Sequence, residues 1–296
     1  MGGGTFIVAR RGTIYVTPGP YLPIAIATSK RVQLGVRKIL KNLILLIGDR
    51  PSAHVLRCMR CRRAGPRARR PPHMRMEVTY YPIPGRGESV RVLLAIGGIE
   101  FKDTLVSFEE WAGVKASTRW GMMPTLTLPS GQVAGQSQPL LRYLGKKIEV
   151  DGTPLTPADD LELLLVDEIL SFVGEDIWRV LLGVRSDEEA ATAVMAAGGT
   201  AAVYLDELEK NIQGTTSVLP SGALSIADVY IFAAFGWWAS GFMTKAVSTD
   251  SLLTGRPKIQ AIIDRVGALP AVKAYYSKAE KKEQPLAHVY GQFAKL

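Results

Sequence analysis

The spacing of apolar positions changes sharply along this chain, and the changes mark out its elements. Glu77–Tyr81 (EVTYY) is short, β-branched and aromatic, which predicts a strand. PIPGRG breaks it. Glu88–Gly97 (ESVRVLLAIG) then carries apolar residues at helical spacing, with Gly97-Gly98 as the stop. Phe101–Leu105 predicts a second strand, and Ser107–Ser117 a helix with Ser107 as its N-cap. Pro124–Leu128 and Gln132–Ala134 predict two strands joined through a Pro129-Ser130-Gly131 turn. Gln136-Ser137 opens a further helix, Gln138–Lys147. The order β-α-β-α-β-β-α within residues 75–148 predicts a compact α/β sheet domain.

Past a linker, Glu149–Thr156, the two-residue alternation of strands does not return. Pro157–Leu182 places Leu161, Leu164, Leu165, Ile169, Phe172 and Val173 on one helical face. Asp187–Ile212 is Ala-rich and interrupted by Gly198-Gly199. Leu224-Ser-Ile-Ala-Asp228 is a start signal: Ser225 caps while Asp228 reaches back to its backbone. Arg256–Gly267 and Pro270–Lys282 predict two more helices, each announced by proline. Residues 157–296 therefore form an all-helical domain.

Composition changes the picture at the N-terminus. Over the full 296 residues, 47% hydrophobic and 21% charged residues are globular values. The net charge of +9 is unevenly spread: residues 1–74 hold 15 Lys and Arg against a single acid, Asp49, while the remainder balances at −5. The basic character belongs to the extension, so neither nucleic acid nor a membrane is the expected partner of the body. No apolar run is long enough to span a bilayer. Residues 1–74, ending in RCMRCRRAGPRARRPP, are expected to stay disordered apart from an amphipathic stretch near Val36–Gly48. Two readings stand side by side: an organelle transit segment, and upstream sequence preceding a working start at Met74 or Met76. A basic RNA- or membrane-binding tail is a third. Cys58 and Cys61 have the spacing of half a zinc ribbon or of a redox pair, but no second pair exists; with three histidines in the chain, no metal site is expected.

Four local matches, in order, give the body a family resemblance: VTYYPIPGRGES, EEWAGVK, the MMPTL and AGQSQPLLRYL pair, and LSIADVYIF. Residues 76–296 resemble the soluble glutathione transferases, closest to their sigma-like, tyrosine-type branch. The resemblance implies a thioredoxin-like domain followed by a helical domain carrying the electrophile site. It also implies glutathione as co-substrate, a small-molecule electrophile, a homodimer and a cytoplasmic place, or a mitochondrion or plastid if the extension is an address.

The implied activity is conjugation of the glutathione thiolate to small hydrophobic electrophiles. An unperturbed thiol titrates near ~8.5, so activation by about two units requires about 2.7 kcal/mol of preferential thiolate stabilisation. Tyr80 matches the catalytic tyrosine that donates its O–H to the sulfur; outside that motif it would read as a half-buried sheet aromatic. Arg86 matches the arginine that orders the loop and supports the thiolate. Trp111 and Lys115 fall to the glycine end of glutathione, or else read as a packed indole and a solvated lysine. Met123-Pro124 matches a cis-proline that turns the Met123 backbone toward the cysteinyl part. Gln136 and Ser137, at a helix start, match the γ-glutamyl carboxylate site, where unpaired N–H groups favour an anion. Met122 is grouped with this site but stands where relatives often carry lysine, which removes one contact. Glu175, or its neighbour Asp176, falls near the acid that reaches a partner subunit's glutathione, and equally reads as a solvated helix acid. Pro82 and Pro84 stiffen the first loop, and Ile83, Trp178, Trp237 and Trp238 are assigned to the second pocket. The body has no cysteine, which excludes the thiol-exchanging branches. A glutathione-dependent isomerase of the prostaglandin-synthase kind and a non-catalytic, crystallin-like member of the fold remain as alternatives.

Overall fold

The computed structural model describes residues 75–241 and 244–278, together with three short strands within residues 6–26. The chain divides into two compact units, Met1–Arg70 and Pro71–Leu296. In the first, β1 (Phe6–Arg10), β2 (Thr13–Thr17) and β3 (Ile24–Ile26) pair as an antiparallel meander, with Phe6 opposite Thr17 and Ile14 opposite Ile26. Composition predicts no element here. FIVAR and TIYVT are nonetheless β-branched and closely spaced, which suits a ladder more than the surrounding glycine and arginine suggest. Cys58, Cys61 and the stretch Val36–Gly48 lie outside the described residues.

In the second unit the α/β domain is a four-stranded sheet in the order β5-β4-β6-β7. It comprises β4 (Met76–Tyr80), β5 (Phe101–Leu105), β6 (Thr125–Thr127) and β7 (Val133–Gly135). β4 runs parallel to β5, Tyr80 opposite Leu105, and antiparallel to β6, Val78 opposite Leu126. The parallel pair is joined by α1 (Gly85–Ile96), as a crossover requires. α1 begins three residues before the predicted Glu88, because Gly85 at φ +45° lets the chain turn directly out of PIP into helix.

The predicted helix Ser107–Ser117 is shorter than its sequence suggests. Only α2 (Trp111–Val114) and a 3-10 turn, Lys115–Ser117, form. Ser107 does not cap α2, whose N-cap is Glu110 without a side-chain cap; instead it closes the turn before it, its Oγ accepting from Glu110 N–H and its own N–H donating to Glu110 Oε2. Ser117 and Thr118 hydroxyls then donate to the carbonyls of Val114 and Lys115, competing with the helix and ending it. α3 (Ser137–Gly145) follows the sheet and turns Leu140, Leu141 and Leu144 into the core.

The linker holds an element that periodicity misses. β8 (Glu149–Val150) and β9 (Thr153–Pro154) form a small hairpin over Asp151-Gly152, both at positive φ, the geometry for which an Asp-Gly pair is suited. The helical part contains α4 (Asp160–Ser171), a wider π turn at Phe172–Ile177 and α5 (Trp178–Gly183), which together occupy the single helix the periodicity predicts. Beyond them come α6 (Glu188–Met195), α7 (Thr200–Asn211), α8 (Ile226–Trp238), α9 (Thr249–Leu253), α10 (Pro257–Ala268) and α11 (Pro270–Ser277).

α8 is buried over its whole length and packs against α1 and α10, so it forms the centre of the second unit. Its predicted capping box is present: Ser225 Oγ accepts from Ala227 N–H, and Asp228 accepts from Ser225 N–H at 2.7 Å. Asp228 also accepts from Val218 N–H at 2.7 Å and from the hydroxyls of Ser225 and Ser217, which ties the preceding loop to the helix start. No helix among the described residues is long and apolar enough to cross a membrane.

Candidate functional site

Tyr80 ends β4 with its side chain turned inward, 7% exposed, under the turn Gly85-Arg86-Gly87. The fit is close. A β-carbon on Gly85 would stand 2.7 Å from the Tyr80 hydroxyl, and one on Gly87 2.5 Å from its ring, so the GRG sequence is what allows the loop to lie over the phenol. Arg86 N–H donates to Tyr80 Oη at 3.1 Å. That bond uses a lone pair and leaves the phenol's own proton available, since no acceptor for it exists among the described residues. Burial pushes the Tyr80 pKa above its usual value, opposed by the Arg86 N–H and the charges of Arg91 and Arg86. The phenol is therefore a neutral donor at physiological pH.

Arg86 reaches the other way, into the helical domain. Its Nη2 donates to the carbonyl of Gly174 at 3.0 Å, and its guanidinium lies 4.9 Å from the centroid of the Trp178 ring. The π turn shapes that contact. It presents the Gly174 carbonyl to Arg86 while Gln138 Nε2 donates to Leu170 O at 2.9 Å, just before the turn. A β-carbon on Gly174 would come within 2.5 Å of Gln138 Nε2 and 2.9 Å of the Tyr230 hydroxyl, so a side chain here would displace both where the π turn packs against α3 and α8.

At the same end of the sheet, since Thr79 of β4 stands opposite Thr125 of β6, Met123-Pro124 is a cis peptide immediately before β6. The Met123 backbone N–H and C=O make no hydrogen bond to other described residues. Met122 is exposed, touched weakly by Gln136 Nε2 at 3.7 Å from its sulfur. Gln136 itself is held at φ +73° and ψ 114° as the N-cap of α3, without a side-chain cap. The helix start is thus left open: Pro139 has no N–H, and those of Ser137 and Gln138 find no acceptor among the described residues. Ser137 is 6% exposed. An uncapped helix start with a buried hydroxyl beside it suits a carboxylate.

The sequence places Trp111 and Lys115 on one helical face, but the structure gives them one α turn followed by a 3-10 turn, with Lys115 N–H bonded to Trp111 O. Lys115 is exposed, its stem near Gly121, and Trp111 joins Tyr81 and Phe108 in an aromatic cluster outside the sheet. Glu175 is exposed on the π turn, while Asp176 is taken by Arg179 at 2.8 Å. Trp178 and Trp238 pack edge to face at 5.5 Å, and the indole N–H of each is buried without an acceptor among the described residues.

Two groups of residues near the site escape the sequence motifs. Arg91, fully buried, donates to Glu88, Asp103 and the carbonyls of Ile83 and Tyr81, and its guanidinium lies 5.6 Å from the Tyr80 ring. Glu88 in turn accepts from the hydroxyls of Tyr275 and Tyr276 at 3.1 and 3.0 Å. The second is Tyr230 on α8, whose hydroxyl burial pushes up to about 12, opposed by the Arg86 charge and the Ser137 hydroxyl. The i, i+3 pair of opposite charges in ESVR is the signal that could have pointed to the first group. No group of three metal-binding side chains occurs among the described residues.

Residues 175–279 match the family model of the glutathione S-transferase C-terminal domain. Among curated relatives, glutathione S-transferase S1 of Drosophila melanogaster is 30% identical over 205 residues, 67% of this chain and 76% of that protein. Glutathione S-transferase 1 of Ascaris suum is 26% identical over 209 residues, 69% of this chain and 97% of its own. Among solved structures, the glutathione S-transferase from Ascaris lumbricoides superposes with a TM-score of 0.55 at 26% identity, covering 71% of this chain and 98% of that one. Prostaglandin synthase D of Nilaparvata lugens superposes with a TM-score of 0.59 at 24% identity, over 69% and 98% of the two chains.

Proposed function

This chain belongs to the glutathione S-transferases, and from that premise we propose that Tyr80 activates the glutathione thiol for attack on a small hydrophobic electrophile. The observation that carries the assignment is the state of the Tyr80 hydroxyl. It is buried and neutral, it accepts from Arg86 N–H at 3.1 Å, and its proton is free for a sulfur. A neutral phenol that donates to the thiolate, and less well to the thiol, lowers the thiol pKa without itself losing a proton. The half-buried Arg86, whose guanidinium donates to the Gly174 carbonyl, adds to the same preference.

The rest of the tripeptide has matching groups. The free N–H and C=O of Met123 suit antiparallel pairing with the cysteinyl residue. The open start of α3, with Gln136 and Ser137, suits the γ-glutamyl carboxylate. Lys115 suits the glycine carboxylate with Trp111 beside it; Met122, without a charge, contributes packing. We assign residues 75–148 to glutathione binding and 157–296 to the electrophile side. Of the residues the sequence assigns to the second pocket, Ile83 is half-buried, while Trp178, Trp237 and Trp238 are buried in the helical core.

The chain is proposed to act as a homodimer, with Glu175 facing the partner subunit's site across the interface, and to reside in the cytoplasm; a cut within residues 1–74, found by mass spectrometry of the natural N-terminus, would instead mark an organelle address. A glutathione-dependent isomerase would use the same thiolate.

Conjugation of a simple aromatic halide tests the assignment through Tyr80→Phe. A thiol pKa lowered by about two units keeps most bound glutathione ionised at pH 7, whereas an unperturbed thiol is only about 3% ionised. Turnover at pH 7 should fall about 25-fold with glutathione affinity nearly intact, and should recover as pH rises toward ~8.5. Full activity of Tyr80→Phe at pH 7 would show that another group activates the thiol.

A further inference from the structure

Tyr230 lies in the middle of α8, 1% exposed, and its hydroxyl makes no hydrogen bond of good geometry among the described residues. A buried hydroxyl left unpaired costs about 1–3 kcal/mol, and phenylalanine would fill the same space without that cost. The hydroxyl points at the first turn of α3. It lies 2.9 Å from where a Gly174 β-carbon would stand, and Gln138 Nε2 lies 2.5 Å from the same point. Gln138 is already committed to Leu170 O. The neighbouring Ser137 hydroxyl is buried and acts on the phenol as a hydrogen-bonding group, while the Arg86 guanidinium acts on it through its charge. The helix start beside them is uncapped. Two independent features thus converge on one point: an open helix N-terminus, and an unpartnered, buried hydroxyl supplied from the other domain.

We propose that Tyr230 is a positioning residue for the γ-glutamyl carboxylate of glutathione, donating its O–H to Ser137 Oγ so that Ser137 aims its own proton at the carboxylate. The inference rests on the glutathione reading above. A serine hydroxyl has one proton and two lone pairs, so its direction is undetermined until a neighbour fixes it. Donation from Tyr230 occupies a lone pair and polarises the Ser137 O–H, strengthening its bond to an anion. The opposite order, Ser137 donating to Tyr230, would turn the serine lone pairs toward the carboxylate and repel it. An anionic ligand therefore selects the first order, and the phenol's unpaired state belongs to the ligand-free chain. No proton is transferred; both hydroxyls stay intact.

The experiment is equilibrium binding of glutathione to the full chain and to Tyr230→Phe, Ser137→Ala and the double variant, with melting curves of each ligand-free protein. Tyr230→Phe should weaken glutathione binding about three- to tenfold, the worth of one hydrogen bond. Ligand-free Tyr230→Phe should melt no lower than wild type, because the substitution removes an unpaired buried hydroxyl. On the Ser137→Ala background the same substitution should have little further effect on affinity. In turnover assays the loss should fall on KM for glutathione rather than on kcat. The proposal is overturned if wild type binds glutathione and Tyr230→Phe binds it equally well, or if the two losses simply add. It is also overturned if affinity and melting temperature fall together, which is what a packing role would give. Failure of the wild-type chain to bind glutathione would overturn the underlying reading as well, and the two failures are told apart by that control.

Discussion

Removing the Glu88 carboxylate should destabilise the protein more than any single exposed substitution, because three buried donors converge on it. Arg91 Nη1 donates at 3.2 Å, Tyr275 at 3.1 Å and Tyr276 at 3.0 Å, and the Glu88 side chain is 2% exposed. Glu88→Ala would leave Arg91, with a fully buried side chain, short of one of its two carboxylates. Breaking a buried pair by removing one partner typically costs about 3–5 kcal/mol, and an orphaned buried hydroxyl about 1–3 kcal/mol. The retained contacts of Arg91 with Asp103 and with the carbonyls of Ile83 and Tyr81 offset part of this. A loss of about 4 kcal/mol remains, a large fraction of the ~5–15 kcal/mol that holds a folded domain.

Urea unfolding, followed by tryptophan fluorescence at constant protein concentration, measures the difference. Glu88→Gln supplies the control. Its amide oxygen still accepts from the tyrosines, but its NH2 meets another donor at Arg91, so its cost should fall between wild type and Glu88→Ala. The same network holds the Tyr81 and Ile83 carbonyls and so fixes the turn that carries Arg86 over Tyr80. Glu88→Ala should therefore also lower turnover in the fraction that stays folded. A change in unfolding free energy below about 1 kcal/mol for Glu88→Ala would refute the idea that this cluster locks α11 and α1 together.

Asp228→Ala should cost about 3 kcal/mol or more by orphaning the buried N–H groups of Val218 and Ser225, readable as a shift in the denaturation midpoint; a shift within error of wild type would count against the capping box as a structural anchor. A chain shortened to begin at Met76 should fold, sediment as a dimer at micromolar concentration and conjugate as the full chain does. Loss of fold or activity in it would make residues 1–74 part of the domain, and a monomer with intact activity would refute the dimer.

The parts of the site that were legible in the sequence are those specified by a few adjacent residues. The Ser225–Asp228 box needs only a hydroxyl and an acid three apart, and the GRG turn only two residues without a β-carbon on either side of Arg86. Each is a local rule. The box is found where the sequence puts it, whereas GRG, read from the sequence as a break, opens α1 instead. The π turn has no such local rule. Phe172–Ile177 carries apolar residues at ordinary helical spacing, and Gly174 reads as a weak point in a helix rather than as the place where the turn packs against α3 and α8.

Arg91 shows the same limit. On a helix of strong apolar period, an arginine reads as the solvated face. Yet α1 is covered by α3, α8 and α11 as well as by β4, so it has no solvated face over most of its length. A charge there must bring its own counter-charges, and it draws them from β5 and from its own helix, with α11 completing the set through Glu88. Tyr230 follows from the same crowding. A helix buried on every side cannot offer a polar group to water, so the tyrosine hydroxyl on α8 must find a protein atom or a ligand atom. No hydrogen bond of good geometry meets it in the ligand-free chain, and in the proposal above a bound carboxylate sets the Ser137 hydroxyl so that it accepts from the phenol.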